Sequence, residues 1–433
     1  MQTSLQGISN RVRSHPAHRF GNLYGILNEQ NLTECFRKLR KDGAVGVDKI
    51  DFDTYGMNLE ANIVDLVDRL KRKVYRTKLV KRVYIPKGNG KLRPLGIVVL
   101  EDKLVQLAVS RILGAIWEPL FLPTSFGFRP KLGAKDAVEN LKTGLQFGRF
   151  TWVLDADIKG FFDAIDHDWL TRMLELKIND EALIRLIGKW LKAGILEPDG
   201  TVVHPASGAP QGGIISPILA NIYLHYVLDL WFEKEIKPKC KGDVKYVRYA
   251  DDTVCAFQLK GDAETYLERL KERLAKFNLT LAEEKTKLIR FSRFVDKRNG
   301  RFDFLGFEFR WDTNVEGKPQ TKLRTSRKKM SASIRDFKDW IKRNRHQKPT
   351  PLFWSIRRKL VGHWNYFNVP CNYDSLAQYY RAVFRLTFKW LNRRSGRKSY
   401  TVIVVRELFE KFNIHIPKVK PMKHDNRTPT MRA

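Results

Sequence analysis

Two apolar, strand-like runs, Val244 to Tyr249 and Thr253 to Phe257, flank Ala250-Asp251-Asp252, and that pattern predicts a hairpin with its turn at the two acids. Adjacent ionised carboxylates repel each other. In a fold dense with cationic residues, a divalent cation held between them is the simplest way to keep both inside one turn. An Asp-Asp pair alone is more often a solvated loop tip, because Asp favours turns for its own hydrogen-bonding reasons. The pair gains its weight from the residues around it.

The chain carries 80 Lys plus Arg against 47 Asp plus Glu, a formal net charge of +33. Such self-repulsion strains a compact fold unless a polyanion neutralises it, so nucleic acid is the leading partner. Anionic lipid is the alternative, but no uninterrupted apolar run reaches transmembrane length, and Met1 to Asn28 has no secretory signal pattern. The expectation is a cytoplasmic protein with no membrane partner. Cys35, Cys240, Cys255 and Cys371 are too scattered for a zinc site or a disulfide scaffold and read as reduced thiols. A length of 433 residues suggests roughly two to four structural units.

Along the chain, Asn31 to Lys41 and Leu59 to Lys73 read as basic helices and Leu79 to Pro86 as a strand. A turn at Lys87-Gly88-Asn89-Gly90 follows, then a long helix from about Asp102 to Trp117. Phe121 to Trp311 mixes strands and helices. Beyond it, Lys322 to Arg345 reads as a cationic helix and Leu352 to Leu391 as amphipathic helices carrying Trp354, Trp364, Tyr379, Phe384 and Trp390. The basic tail, Pro417 to Ala433, is expected to be disordered unless RNA orders it.

A second acidic site lies in Thr151 to Asp163, where Val153, Asp155 and Asp157 share one face of a strand ending near Gly160. Asp166 reads as the N-cap of the helical pattern from Trp169, and Asp163 and Asp168 suit turns or caps. Asp157 has no such local role. If its strand lies beside the hairpin, Asp157, Asp251 and Asp252 converge, and three acids there suit two Mg²⁺ ions roughly 3.5 to 4 Å apart, as nucleotidyl transfer requires. Between the two sites runs Ser207-Gly208-Ala209-Pro210-Gln211-Gly212-Gly213-Ile214-Ile215-Ser216-Pro217, whose glycines let backbone approach a ligand. Ser216-Pro217 reads as N-cap and first residue of an apolar helix, Ile218 to Phe232. A Gly-rich loop feeding a core helix is the simpler reading of this stretch alone; the order acid, Gly-rich Gln loop, helix, Tyr-Ala-Asp-Asp favours the functional one.

Over nearly its whole length the chain resembles group II intron-encoded reverse transcriptases/maturases. The resemblance rests on Gly46-Val47-Asp48, Arg93 to Ile97, Ser125 to Pro130, Ala156 to His167, Pro210 to Pro217, Tyr249 to Asp252, Leu281 to Thr286, Phe304-Leu305-Gly306-Phe307 and Lys389 to Ser395. It implies an α+β, right-hand polymerase fold: N-terminal extension and fingers over 1–120, the palm with its antiparallel sheet and remaining fingers elements over 121–315, an α-helical thumb or domain X over 316–415, and a basic tail over 416–433. It also implies that Asp157, Asp251, Asp252 and the backbone carbonyl of Ile158 hold two Mg²⁺ ions, with Gln211 in the nucleotide pocket and Lys87 and Arg93 on the triphosphate. An Arg forks onto phosphate and a Lys neutralises it as a point charge. Lys87 reads equally as a solvated turn lysine. Phe162 matches the position where such polymerases set a ring against the sugar and so exclude a 2′-hydroxyl, although Phe161 or Phe162 must face the core if the strand continues.

The implied partners are intron RNA, an RNA template with a DNA primer, target DNA and dNTPs, with Arg129, Lys328, Lys329, Arg357, Arg358, Arg393, Arg394, Arg397 and Lys398 as RNA-backbone contacts. Most rings of the C-terminal third are expected to be bundle core. Two departures from the pattern stand out. No Cys/His-rich segment follows Arg394, so no HNH-type endonuclease is expected, and Thr401 to Val405 replaces an expected Trp-containing continuation. The implied function is RNA-directed DNA synthesis together with assistance to splicing. The alternatives are a splicing cofactor with vestigial polymerase activity, or a domesticated reverse transcriptase in defence or repair.

Overall fold

A computed structural model describes residues 4–86, 92–294, 300–394 and 400–416. The expected turn at 87–90 with Lys87, the residues Arg397 and Lys398, and the tail from Pro417 lie outside the described residues. Helices and sheets mix throughout, as the α+β expectation requires. The chain divides into two units, Met1–Ala137 with Leu154–Leu288, and Val138–Val153 with Ile289–Ala433.

In the first unit, α1 (Leu5–Ser14), α2 (Glu29–Lys38), α3 (Phe52–Met57) and α4 (Leu59–Lys71) precede α5 (Leu100–Trp117). Side-chain caps start three of them: Ser4 accepts from the Gly7 amide, Asn28 from Asn31 and Asp51 from Thr54. α5 is apolar on nearly every side, with Leu104, Val105, Ala108, Val109, Ile112, Leu113 and Ile116 buried, and α1 and α2 pack against it. Between α4 and α5, β1 (Val80–Pro86) pairs antiparallel with β2 (Leu92–Ile97) and parallel with β4 (Ile195–Leu196), and β5 (Val202–Val203) completes a sheet of order β2-β1-β4-β5.

The second sheet holds the acids. Its order is β6 (Val244–Tyr249), β7 (Asp252–Phe257), β3 (Trp152–Ala156), β8 (Lys287–Arg290). Buried Val247, Val254, Ala256 and Phe257 anchor the hairpin arms that the two apolar runs predict. The helix expected over Ile218 to Phe232 is interrupted: α10 (Ser216–Leu224) gives way to π turns at His225–Asp229 and Phe232–Ile236. A π turn adds a residue per turn and shifts the following side chains around the axis, and Asp229 at the end of the first faces the hairpin. Ser216 is not the N-cap: it lies inside α10, Ile215 precedes it, and its hydroxyl donates to the Pro210 carbonyl at 2.8 Å. Asp166 does cap its helix, α8 (His167–Glu175), accepting from the Trp169 amide at 2.8 Å; α9 (Glu181–Leu191) and α11 (Lys260–Lys276) belong to the same unit.

The second unit contains α6 (Ala134–Phe147), which enters it at Val138, and a three-stranded meander of order β11-β10-β9, built from β9 (Arg301–Phe304), β10 (Phe307–Thr313) and β11 (Pro319–Thr325). Helices α12 (Arg327–Asn344), α13 (Pro349–Phe367), α14 (Tyr373–Leu391) and α15 (Val402–Lys411) follow. The cationic helix expected from Lys322 therefore begins later. Leu323 and Thr325 are buried while Lys322 and Arg324 are not, the two-residue period of a strand, and Ser326 then starts α12 by accepting from the Lys329 amide. Asn372 ties strand to helices: its Oδ1 accepts from the Thr325 amide at 2.8 Å and its Nδ2 donates to the Phe367 carbonyl at 2.8 Å. Trp364, Phe367 and Tyr379 are buried, whereas Trp354 stays 45% exposed. Thr401 caps α15, so the divergent segment is a helix start.

Candidate active site

Pairing of Tyr249 with Asp252 closes the β6–β7 hairpin and leaves Ala250 and Asp251 as its two turn residues. Ala250 adopts φ 55°. Left-handed backbone costs an L-residue about 1–2 kcal/mol, so neighbouring contacts must hold it. Arg248 makes those contacts. Its Nη1 donates to the Ala250 carbonyl and to Asn221 Oδ1, both at 3.0 Å. Nε and Nη2 fork onto Asp229 at 2.7 and 2.6 Å, and Nη2 also donates to Ser125 Oγ at 2.7 Å. Arg248 and Asp229 are fully buried, and Tyr246 donates its hydroxyl to the same carboxylate. Asn221 Nδ2 in turn donates to the Gly127 carbonyl at 2.7 Å. A side chain at Gly127 would meet the Ala250 nitrogen at 2.2 Å, so only glycine lets the Ser125-Phe126-Gly127 segment lie under the turn.

Asp157 follows β3 directly. Thr253 donates from β7 to the Ala156 carbonyl at 3.0 Å, which sets the end of β3 beside Asp252. The Ala282 amide donates to the Asp157 carbonyl at 2.8 Å and the Lys159 amide to Thr280 at 2.9 Å, so residues 280–285 run alongside. That register brings the Lys285 ammonium onto the Asp157 carboxylate. The acids share one electrostatic field. Burial, then the charge of Asp157, raises the Asp251 carboxyl above its ordinary range, against Arg93 and Lys285. Asp252 is exposed at the first position of β7, yet neighbouring protein atoms crowd its carboxyl. The resulting desolvation, followed by the charges of Asp251, Asp157 and Asp155, pushes that carboxyl up to about 7.

Carboxylates crowded enough to repel one another are the oxygen donors that a hard divalent cation suits, because its charge replaces their mutual repulsion with attraction. As they stand, no three His, Cys, Asp or Glu side chains converge on one metal position among the described residues, and Asp157 is paired with Lys285. The donor chemistry fits a divalent ion once Asp157 exchanges Lys285 for it.

The Pro-Gln-Gly loop docks on β2: the Gly96 amide donates to the Gln211 carbonyl at 2.5 Å, and a side chain at Gly212 would meet the Gly96 carbonyl oxygen at 2.5 Å. Arg93 is exposed on the same strand, its charge felt at Asp251. Residues 161–164 form a helical turn, α7 (Phe161–Ala164), rather than continued strand; Phe161 is buried and Phe162 is half-buried, edge-on to Phe128 at 6.4 Å. Ile158 is buried and bridges Leu281.

Arg129 corrects an expectation. Its guanidinium is spent inside the fold on Glu118 and on the Leu122 and Ser125 carbonyls at 2.8 and 2.7 Å, which leaves it unsuited to RNA. Lys328, Lys329, Arg358 and Arg393 are exposed; Arg357 covers the Trp354 ring at 5.3 Å, and Arg394 donates to the Gln347 carbonyl at 2.7 Å. Arg248, Asp229, Asn221, Ser125 and Lys285 have no part in the sequence-based site. The one available signal was a charged Arg248 set in an apolar run directly before the turn.

The reverse transcriptase (RNA-dependent DNA polymerase) family profile matches residues 85–309. The chain belongs to the reverse transcriptase family. It is 34% identical over 304 residues to the group II intron-encoded protein LtrA of Lactococcus lactis subsp. cremoris, covering 67% of this chain and 50% of that protein. It is 32% identical over 291 residues to protein YkfC of Escherichia coli, covering 60% and 74%, and 28% identical over 417 residues to the putative COX1/OXI3 intron 1 protein of Saccharomyces cerevisiae, covering 77% and 49%. The chain spans about half the length of LtrA. These relatives set this reverse transcriptase among the group II intron reverse transcriptases/maturases, and the family is generally dependent on divalent metal. Among the described residues, no helix is long and apolar enough to cross a membrane.

Proposed function

We propose that the chain is a cytoplasmic RNA-directed DNA polymerase that also binds its parent group II intron RNA and assists its splicing. One observation carries this reading: an Asp251-Asp252 turn braced by buried Arg248 and set beside Asp157, in a chain of the reverse transcriptase family. In this reading 1–120 are N-terminal extension and fingers, 121–315 the palm with remaining fingers elements, 316–415 the thumb and 416–433 a basic tail.

Asp157, Asp251, Asp252 and the Ile158 carbonyl would hold two Mg²⁺ ions, which when bound activate a primer 3′-hydroxyl and stabilise the departing pyrophosphate. The protein supplies position. Arg93, with Lys87, binds the triphosphate, and Gln211 lines the nucleotide pocket on a loop fixed to β2. Phe162 packs against the sugar where a 2′-hydroxyl would sit. Arg248 keeps the turn from relaxing, so that the two acids stay aimed at the reacting centre. Exposed Lys328, Lys329, Arg358 and Arg393, half-buried Arg357 and Arg394, and Arg397 and Lys398 neutralise RNA phosphates; the cleavage and ligation of splicing belong to the RNA.

The test joins two assays on one preparation: extension of a DNA primer on an RNA template in Mg²⁺, and splicing of the intron RNA from the adjoining locus. Activity in both is expected. A folded, RNA-binding protein that extends no primer would overturn the polymerase reading, and an intron indifferent to the protein would overturn the maturase reading.

A further inference from the structure

We infer that a cavity between α14 and α15 is a subsite for one unstacked nucleotide of single-stranded RNA. It encloses 530 Å³ and is lined by Gln378, Tyr380, Arg381, Phe384, Arg385 and Arg406, a volume within the range of pockets that take small ligands. None of these residues belongs to the proposed polymerase site or to the RNA contacts named above.

Two kinds of surface meet there. Tyr380 and Phe384 are half-buried and held against buried Phe409 at ring distances of 5.9 and 5.1 Å, and the Tyr380 hydroxyl donates to the Ile414 carbonyl at 3.4 Å. These rings form a fixed wall. Gln378, Arg381 and Arg385 follow one another at spacings of three and four residues along α14, which puts them on one helical face. Arg406 joins them from α15. Arg381 Nε is taken by the Ala377 carbonyl at 3.2 Å. Among the described residues, none of the three guanidinium groups is in an ion pair.

Fixed rings beside unpaired guanidinium groups match the two halves of a nucleotide. The base stacks on the aromatic wall, as every base has a flat face. The phosphate takes forked guanidinium bonds, and the Gln378 amide can both donate to and accept from a base edge. An apolar peptide would leave three cations unmatched, and an acidic peptide would match the charge but not the rings.

This inference rests on the reading that the chain binds RNA. The test is fluorescence anisotropy of a short, unstructured, mixed-sequence RNA with the full chain across a salt series. Phe384→Leu is expected to weaken binding by about 5- to 100-fold without changing the salt slope. The double variant Arg381→Gln/Arg385→Gln is expected to reduce the log–log salt slope by about 0.7, the value for one lost phosphate contact on a single strand. Circular dichroism and thermal melting check that each variant folds. Wild-type affinity and slope in the double variant, or poly-glutamate competing as well as RNA of equal charge, would overturn the subsite. Failure of the wild type to bind RNA would overturn the RNA-binding reading, and the subsite with it.

Discussion

Arg248 and Arg385 carry the same side chain into opposite settings. Around the Asp251-Asp252 turn the guanidinium is fully buried, with its donors placed on Asp229, Asn221, Ser125 and the Ala250 carbonyl. Along α14 the guanidinium groups face solvent at the rim of a cavity. The first arrangement holds the left-handed Ala250 turn from several sides at once. The second leaves charge free to settle on a flexible polyanion. On the proposed reading, the fixed geometry serves the chemistry at the turn and the unspent charge serves the grip on RNA.

The largest expected effect tests that contrast directly. Arg248→Met strands Asp229 as a buried, unpaired charge and releases Ala250, and breaking a buried pair costs about 3–5 kcal/mol. Denaturant unfolding should show that loss, with primer extension abolished. A loss no greater than that of an exposed arginine would break the comparison. Phe162→Val opens the space beside the sugar, and single-nucleotide incorporation should shift about 10- to 100-fold toward ribonucleotides; unchanged discrimination removes Phe162 from the sugar site.

A third prediction concerns pH without divalent cation. The Asp252 carboxyl sits at about 7 in the folded chain against an ordinary 3.8. Between those values the folded protein holds a proton that the unfolded chain has released, so this group's contribution to stability is greatest below the lower value and is lost as pH rises through about 7. Asp252→Asn should flatten that decline in unfolding free energy; an identical slope would show that Asp252 titrates normally. The smallest effect belongs to the exposed region: Arg358→Gln should change stability by less than about 0.5 kcal/mol while weakening RNA binding in a salt-dependent way.

How much of this was legible in the sequence depended on whether the relevant partners were local. The hairpin was readable because two apolar runs and an acidic break are contiguous, and Asp166 because a cap acts within three residues. Asp157 stood out as an acid with no local use. Arg248 did not, because Ser125, Asn221 and Asp229 are distant in sequence, and an arginine in a strand reads as an outward-facing residue. The π turns that carry Asp229 inward break the 3.6-residue period on which helix reading relies. β11 was hidden by charge: Lys322 and Arg324 made a strand with period-two burial look like the start of a basic helix. Arg129 misled in the opposite direction, as a basic residue in a family motif that the fold spends on Glu118.

The measurement that bears most directly on the central claim is single-turnover primer extension on an RNA template across a Mg²⁺ titration, comparing the intact chain with Asp251→Asn. The account predicts Mg²⁺-dependent extension that falls by about 10³-fold or more in the variant, with RNA binding retained. Extension that survives in Asp251→Asn would contradict it, and would move the chemistry away from the turn that Arg248 holds.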